Sequence, residues 1–181
     1  MSLFNKVITE RLVLRPFTLD DAKEVQSLAG KKEIADTTLF IPHPYPDGAA
    51  EEWISTHTTK FINKEEVIFA ITLKENFKLI GAIGLVINKM FNNAEAGYWI
   101  GVQYWGYGYC TEALKAIINY GFGTLQLNKI HAHHMTTNPA SGRVMLKCGM
   151  SIEGSLKKHI LKNNVYEDIV LYGILRDEFR N

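Results

Sequence analysis

Residues 95–112, EAGYWIGVQYWGYGYCTE, gather the residue types in this chain best suited to chemistry. Glycines stand at 106 and 108, between an aromatic run ending at Ile100 and a segment from Thr111 with apolar residues at 113, 114, 117, 118 and 122. The first reads as a strand and the second as an amphipathic helix. Strand, glycine turn and helix make a cradle for a phosphate. The first N–H groups of a helix have no intrahelical partner, and the helix dipole adds partial positive charge there. Glycine lets the main chain approach an anion and reach positive φ. Two widespread phosphate motifs are absent: there is no GxxxxGK[ST], and Thr111 stands where GxGxxG needs its third glycine.

Other candidates carry less. In His131-Ala-His133-His134, alternation puts His131 and His133 on one strand face and His134 on the other. No cysteine or acidic cluster nearby completes a ligand set, so strand histidines are expected and no metal. Cys110, beside a helix start, is expected to be a small packed residue rather than a nucleophile. Glu112 begins that helix, where the dipole alone favours an acid, and is read as structural. Trp99, Trp105 and Tyr107 read mostly as core and loop-packing aromatics.

These residues need a frame. With 181 residues, 46% hydrophobic and 22% charged, the chain suits one soluble domain with a real core. A net charge of +1 argues against bulk, salt-driven binding of nucleic acid, which needs a concentrated basic surface. No apolar run is long enough to span a membrane and no signal-like core opens the chain. Two isolated thiols without a CxxC suggest a reduced, cytoplasmic setting.

Ile8 to Arg15 alternates as a strand, and Thr18 or Asp20 can cap a helix running to about Ala29. Residues 36–48 hold three of the five prolines and read as loop. Asp47 can cap a helix over about 49–63. Residues 67–73 and 78–87 read as a hairpin about Glu75-Asn76, and Asn92-Asn93 turns into a strand at 94–100. A strand at 129–135, a short helix at 141–147 stopped by Gly149, and a long hairpin of 150–161 and 165–175 about Asn163-Asn164 complete the chain. The class is α+β, with a mixed, mostly antiparallel sheet of about seven strands flanked by about four helices.

Gln103-x-x-Gly106-x-Gly108 resembles the Q/R-x-x-G-x-G/A signature of the GCN5-related N-acetyltransferases (GNAT). Further blocks resemble its branch of ribosomal-protein N-terminal acetyltransferases, the RimJ/RimL group. They are ERLVLRPFTLDDA at 10–22, EAGYW from 95, WGYGYCTEAL from 105, and Asn138-Pro-Ala-Ser141-Gly-Arg143-Val-Met-Leu-Lys147-Cys-Gly149-Met. The blocks span nearly the whole chain in matching order and spacing.

The resemblance implies acetyl-CoA as cosubstrate and no metal. It places main-chain N–H groups of Gln103, Tyr104, Trp105, Gly106, Tyr107, Gly108 and Tyr109 on the pyrophosphate. It implies a splay between the fourth and fifth strands, here 94–100 and 129–135, for the pantetheine arm. Main-chain N–H near Tyr98, Trp99 and Ile100 would face the acetyl carbonyl. Asn138 would meet the pantetheine or thioester end, Ser141 would donate to the departing thiolate, and Glu95 would act as general base or bind the ammonium. Simpler readings stand beside these: a tight turn at Gly106 and Gly108, Asn138 as an N-cap before Pro139, Ser141 as the cap of 142–147, and Glu95 as a solvated strand end. Many members carry a tyrosine acid seven residues after the asparagine, where this chain has Met145. Residues 36–65 would form part of the acceptor wall, with His43 and His57 in or near it.

The implied reaction is direct transfer in a ternary complex. The amine loses a proton, the thioester carbonyl is polarised, and a donor meets the thiolate. The implied acceptor is first the α-amine of a protein or peptide N-terminus. A small amine, polyamine or antibiotic, is the alternative, because 36–65 tilts only mildly acidic. A non-catalytic acyl-CoA-binding domain and a scaffold remain further alternatives. The branch is often dimeric, so a homodimer stays open.

Overall fold

The computed structural model describes residues 5–179; the first residues, which bear on the reading of the N-terminus, lie outside them. The strand expected over 8–15 divides into β1 (Val7–Ile8) and β2 (Leu12–Arg15). The break is a tight turn: Thr9 Oγ1 accepts the Leu12 N–H at 2.9 Å, and the Thr9 N–H donates to Leu12 O at 3.0 Å. A single helical turn, Leu19–Asp21, leads into α1 (Ala22–Ala29). Asp21 shapes this entry. Its carboxylate accepts the Thr18 N–H at 2.8 Å and pairs with Arg15 at 2.7 Å.

A short helix, α2 (Lys32–Thr37), enters the stretch expected as loop, because the prolines begin only at Pro42. α3 (Ala49–Ile62) starts from Gly48 at φ 80°, not from an Asp47 cap; Asp47 instead accepts from Gln26 Nε2 at 2.7 Å. Then come β3 (Glu66–Leu73), β4 (Leu79–Asn88), β5 (Asn93–Ile100), α4 (Tyr109–Gly123), β6 (Lys129–Met135), α5 (Pro139–Lys147), β7 (Ser151–Lys162) and β8 (Val165–Leu175). The described residues thus hold eight strands and five α-helices, one of each more than the sequence suggested. They form one open sheet in the order β1-β2-β3-β4-β5-β6-β8-β7.

The sheet is covered on both sides, so β3 reads as a nearly continuous apolar run. One face carries Leu12, Phe69, Leu85 and Ile130 against Leu114 and Ile118 of α4. The other packs Ala70 and Leu79 against Val25 and Leu28 of α1 and Ile54 of α3. β5 alternates between them: Ala94, Ala96, Tyr98 and Ile100 join the α4 side, and Trp99 the α1–α3 side.

Every strand pairing is antiparallel except β5 with β6. That parallel pairing covers only Asn93↔Lys129, Ala94↔Ile130 and Glu95↔His131. Beyond it β5 stays paired to β4 through Ile100, and β6 to β8 through Met135. The strands therefore part where the family resemblance implied the splay. α5 lies close over the second half of the sheet, since a Cβ on Gly142 would stand 2.6 Å from His134 Nε2 and 2.7 Å from Tyr172 Oη. That close approach carries the neighbouring Ser141 toward β5.

Candidate active site

The cradle forms as its glycines require. Gly106 and Gly108 sit at φ 83° and 80°, in the region that disfavours side chains. A Cβ on Gly106 would meet nothing within 4 Å, so the space above it is open. The first helical bond of α4 runs from the Glu112 N–H to Gly108 O, so the N–H groups of Tyr109, Cys110 and Thr111 precede it. Gln103 and Tyr104 belong to a single turn, Val102–Tyr104. Trp105 folds back, its indole N–H donating to Ile100 O at 2.6 Å. Tyr107 and Tyr109 stack with centroids 5.9 Å apart.

A clamp from the turn between β1 and β2 holds this loop. Arg11 Nε bonds Glu112 Oε2 at 2.7 Å, and Arg11 Nη1 donates to Tyr107 O at 2.9 Å. The guanidinium lies 4.7 Å from the Tyr109 ring centre. Glu112 also accepts from Thr9 Oγ1 at 2.6 Å and from the Arg11 N–H at 2.8 Å. Burial would raise the Glu112 pKa; these hydrogen bonds outweigh it and hold the carboxyl below its ordinary range. The structural reading of Glu112 stands, with a defined task. Cys110, beside the same helix start, has its thiol pushed up to about 12 by burial, which overrides the dipole. It packs against the α4-side core.

On the α4 side of the gap, Tyr98 Oη lies 2.8 Å from Ser141 Oγ. Burial holds the Tyr98 phenol well above its ordinary value. The helix cap is Asn138, not Ser141: α5 begins at Pro139, and Asn138 Oδ1 accepts the Ser141 N–H at 3.4 Å. Asn138 Nδ2 donates to Thr37 O at 3.2 Å, which ties the end of α2 to the start of α5. Met145 is buried, 1% exposed, so no polar group replaces a tyrosine there.

Glu95 lies on the opposite face, at the last residue pair before the strands part. It is not a free strand end. Glu95 Oε1 is 3.1 Å from His133 Nδ1, and His131 is its direct neighbour across the ladder. The hydrogen bond from His133 holds the Glu95 carboxyl below its ordinary pKa. Burial lowers the pKa of His131. The sequence reading missed this partnership. Its signal was the His-Ala-His spacing, which puts both rings on the face that a parallel neighbour would share.

α2 and the proline-rich loop, within or beside the 36–65 stretch, face the tip of the β7–β8 arm. Lys162, near the tip of the β7–β8 arm, donates to the carbonyls of Ala35, Asp36 and Thr38 at 2.6, 2.8 and 2.7 Å. A hollow of about 360 Å³ opens there, lined by Leu39, Phe40, His43, Leu161 and Lys162 among others. His43 Nδ1 lies 3.0 Å from Gly30 O. His57 leaves the set of candidate contacts: it is buried between Phe17 and Trp53, and neither ring nitrogen has a hydrogen-bond partner. A larger hollow of about 560 Å³, between β1 and the end of α4, lies away from every one of these groups. No cluster of metal-ligating residues occurs among the described residues, and no helix among them is long and apolar enough to cross a membrane.

The sequence model of the acetyltransferase (GNAT) domain matches residues 11–151. The chain belongs to this GNAT family. The match runs from the arginine of the clamp, through the cradle and both sides of the gap, to the first residue of β7. Among GNAT relatives, the uncharacterized N-acetyltransferase YnaD of Bacillus subtilis is 32% identical over 176 residues, covering 96% of this chain and 98% of that protein. The ribosomal-protein-serine acetyltransferase of Escherichia coli is 33% identical over 101 residues, 55% of this chain and 56% of that protein. The spermidine N(1)-acetyltransferase of Vibrio cholerae is 26% identical over 176 residues, 96% of this chain and 98% of that protein. Of solved structures, a GNAT acetyltransferase from Bacillus anthracis superposes with a TM-score of 0.85 at 25% identity, covering 96% and 99% of the two chains. The microcin C7 self-immunity acetyltransferase MccE, in complex with acetyl-CoA and AMP, shares the fold with a TM-score of 0.85 at 23% identity, covering 96% and 98%.

Proposed function

We propose that this GNAT protein transfers acetyl from acetyl-CoA to the α-amine of a protein or peptide N-terminus, by direct attack within a ternary complex. The observation that carries the transfer is the placement of two polar sets on opposite faces of one gap. Glu95 stands on the α1–α3 face, which the acceptor wall shares, and the Ser141–Tyr98 pair stands on the α4–α5 face. An amine entering from the first face meets the carboxylate, and the leaving sulfur departs toward a hydroxyl on the second. The cradle fits a pyrophosphate, because open space above Gly106 adjoins three helix-start N–H groups. Acetyl-CoA supplies the activated thioester. The protein orients it, excludes water and holds charge where it develops.

The acceptor class rests on the wall. Asp36 is the sole carboxylate lining the hollow, and it is paired with Lys32 at 2.6 Å. Lys162 adds a cation beside Leu39, Phe40 and Leu161. A polyamine needs unpaired acids; an α-amine with an apolar first side chain does not.

Calorimetric titration of acetyl-CoA should give one site per chain, lost when Gly106 and Gly108 become Val. CoA release should then be faster with neutral N-terminal peptides than with spermidine. Absence of heat with the intact protein would reject the cosubstrate, and a preference for spermidine would reject the acceptor class.

A further inference from the structure

We propose that His133 is the group that takes the proton from the acceptor ammonium, and that Glu95 is the residue that positions it. This rests on the transferase reading above and divides the work assigned there to Glu95. The geometry is a carboxylate–imidazole pair at the mouth of the gap. Glu95 Oε1 lies 3.1 Å from His133 Nδ1, so the ring proton sits on Nδ1 and the lone pair is on Nε2. No protein hydrogen bond to Nε2 is made among the described residues. The His133 side chain is 19% exposed and that of Glu95 44%, so the pair is reachable from the acceptor face.

The chemistry favours the ring. A carboxylate held down by a hydrogen bond from its neighbour is a weak base. An imidazole is intrinsically a stronger base than a carboxylate, which makes it the better acceptor of a proton from an ammonium. The charge left on the ring then faces Glu95, which stabilises it. In the step, the ammonium N–H bond breaks and its proton goes to Nε2. The amine lone pair forms the C–N bond, the C–S bond breaks, and the electron pair leaves with sulfur. The second proton that nitrogen sheds on becoming an amide goes to that thiolate by way of the Ser141 hydroxyl, and the proton on Nε2 passes to solvent. No oxidant or further reactant is needed.

Other charges near the pair are His131 and Lys129 on its own strand and Glu153 on β7, whose carboxylate pairs with Lys129 at 2.6 Å. Leu171 and Gly173 of β8 lie opposite His133 and His131 and carry no charge. Glu95 is therefore the one carboxylate in hydrogen-bonding contact with His133 among the described residues.

The experiment combines a pH profile with a direct titration of the ring. His133→Gln should lower CoA release by at least about 100-fold and remove the acid limb of the kcat/KM profile. Glu95→Gln should retain much more rate and move that limb to lower pH. By NMR of imidazole-labelled protein, the His133 resonance should titrate at lower pH in Glu95→Gln than in the parent. Acetyl-CoA affinity, measured on each variant, should stay within about twofold. Wild-type release and an unchanged acid limb in His133→Gln would overturn the assignment, as would a His133 titration indifferent to Glu95→Gln. Loss of acetyl-CoA binding by the parent, or no release with any amine, would instead overturn the transferase reading and this inference with it.

Discussion

The phenol of Tyr98 lies 2.8 Å from the hydroxyl of Ser141, joining the middle of β5 to the first turn of α5 across the mouth of the gap. Two hydroxyls in contact form a short relay, in which one can donate outward while accepting from the other. Ser141→Ala should lower kcat about 100-fold with acetyl-CoA affinity nearly unchanged. Tyr98→Phe should cost less than about tenfold, because the serine hydroxyl remains. Full turnover by Ser141→Ala would remove the serine from the chemistry.

The clamp on the cradle should be visible in binding. Arg11 fixes the loop through Tyr107 O and Glu112, residues about a hundred positions away in sequence. Arg11→Met and Glu112→Gln should each weaken acetyl-CoA binding about tenfold and speed amide exchange over 106–109. The double variant should lose little more than either single one, because both remove the same charge-assisted contacts. Additive losses would show that the two residues act separately.

His57 makes stability depend on pH. In the folded chain its pKa is lowered to about 4 by burial in the α1–α3 core; unfolded it returns to about 6.5. The unfolded state therefore binds the proton first. Stability is fully present above pH 6.5 and falls as pH drops toward 4, with a loss of about 2 kcal/mol at pH 5. His57→Phe, in the same aromatic pocket, should flatten that part of the curve. Urea midpoints at pH 7 and pH 5 measure it, and an undiminished drop in the variant would assign the effect elsewhere.

Lys162 closes the C-terminus of α2 with three carbonyl contacts, in the position that favours a cation at a helix end. Lys162→Met leaves those carbonyls without their donor and should cost about 1–3 kcal/mol. Hydrogen exchange should quicken over 35–43 and over the arm tip at 160–165. Unchanged exchange in both stretches would mean the contact does not hold the arm.

The strongest signals in the sequence were local. The apolar period of α4, the two glycines before it and the alternation of β5 each act within a few residues, so they could be read without neighbours. The splay was placed only through family resemblance, because parting of strands depends on what β8 and α5 do to β6. α2 was missed because six residues carry too little period to register, and the proline-rich stretch after it dominated the reading. The clamp of Arg11 on Glu112 and the pairing of Glu95 with His133 join residues from distant parts of the chain. Each looked like an ordinary charged or strand residue until the fold set them face to face.

The three residue pairs between β5 and β6 have a mechanical consequence. Within the sheet, β1 to β5 form one plate and β6 with β8 and β7 another, and their strands share one short seam. A ligand bound between them would add to that seam and to the side-chain contacts around it, and by mass action would stabilise the fold by about 2.7 kcal/mol at a hundred times its dissociation constant. The plates then open less often, and proteases that cut opened chains find fewer. The lifetime of the folded protein should thus rise with the supply of the compound it consumes.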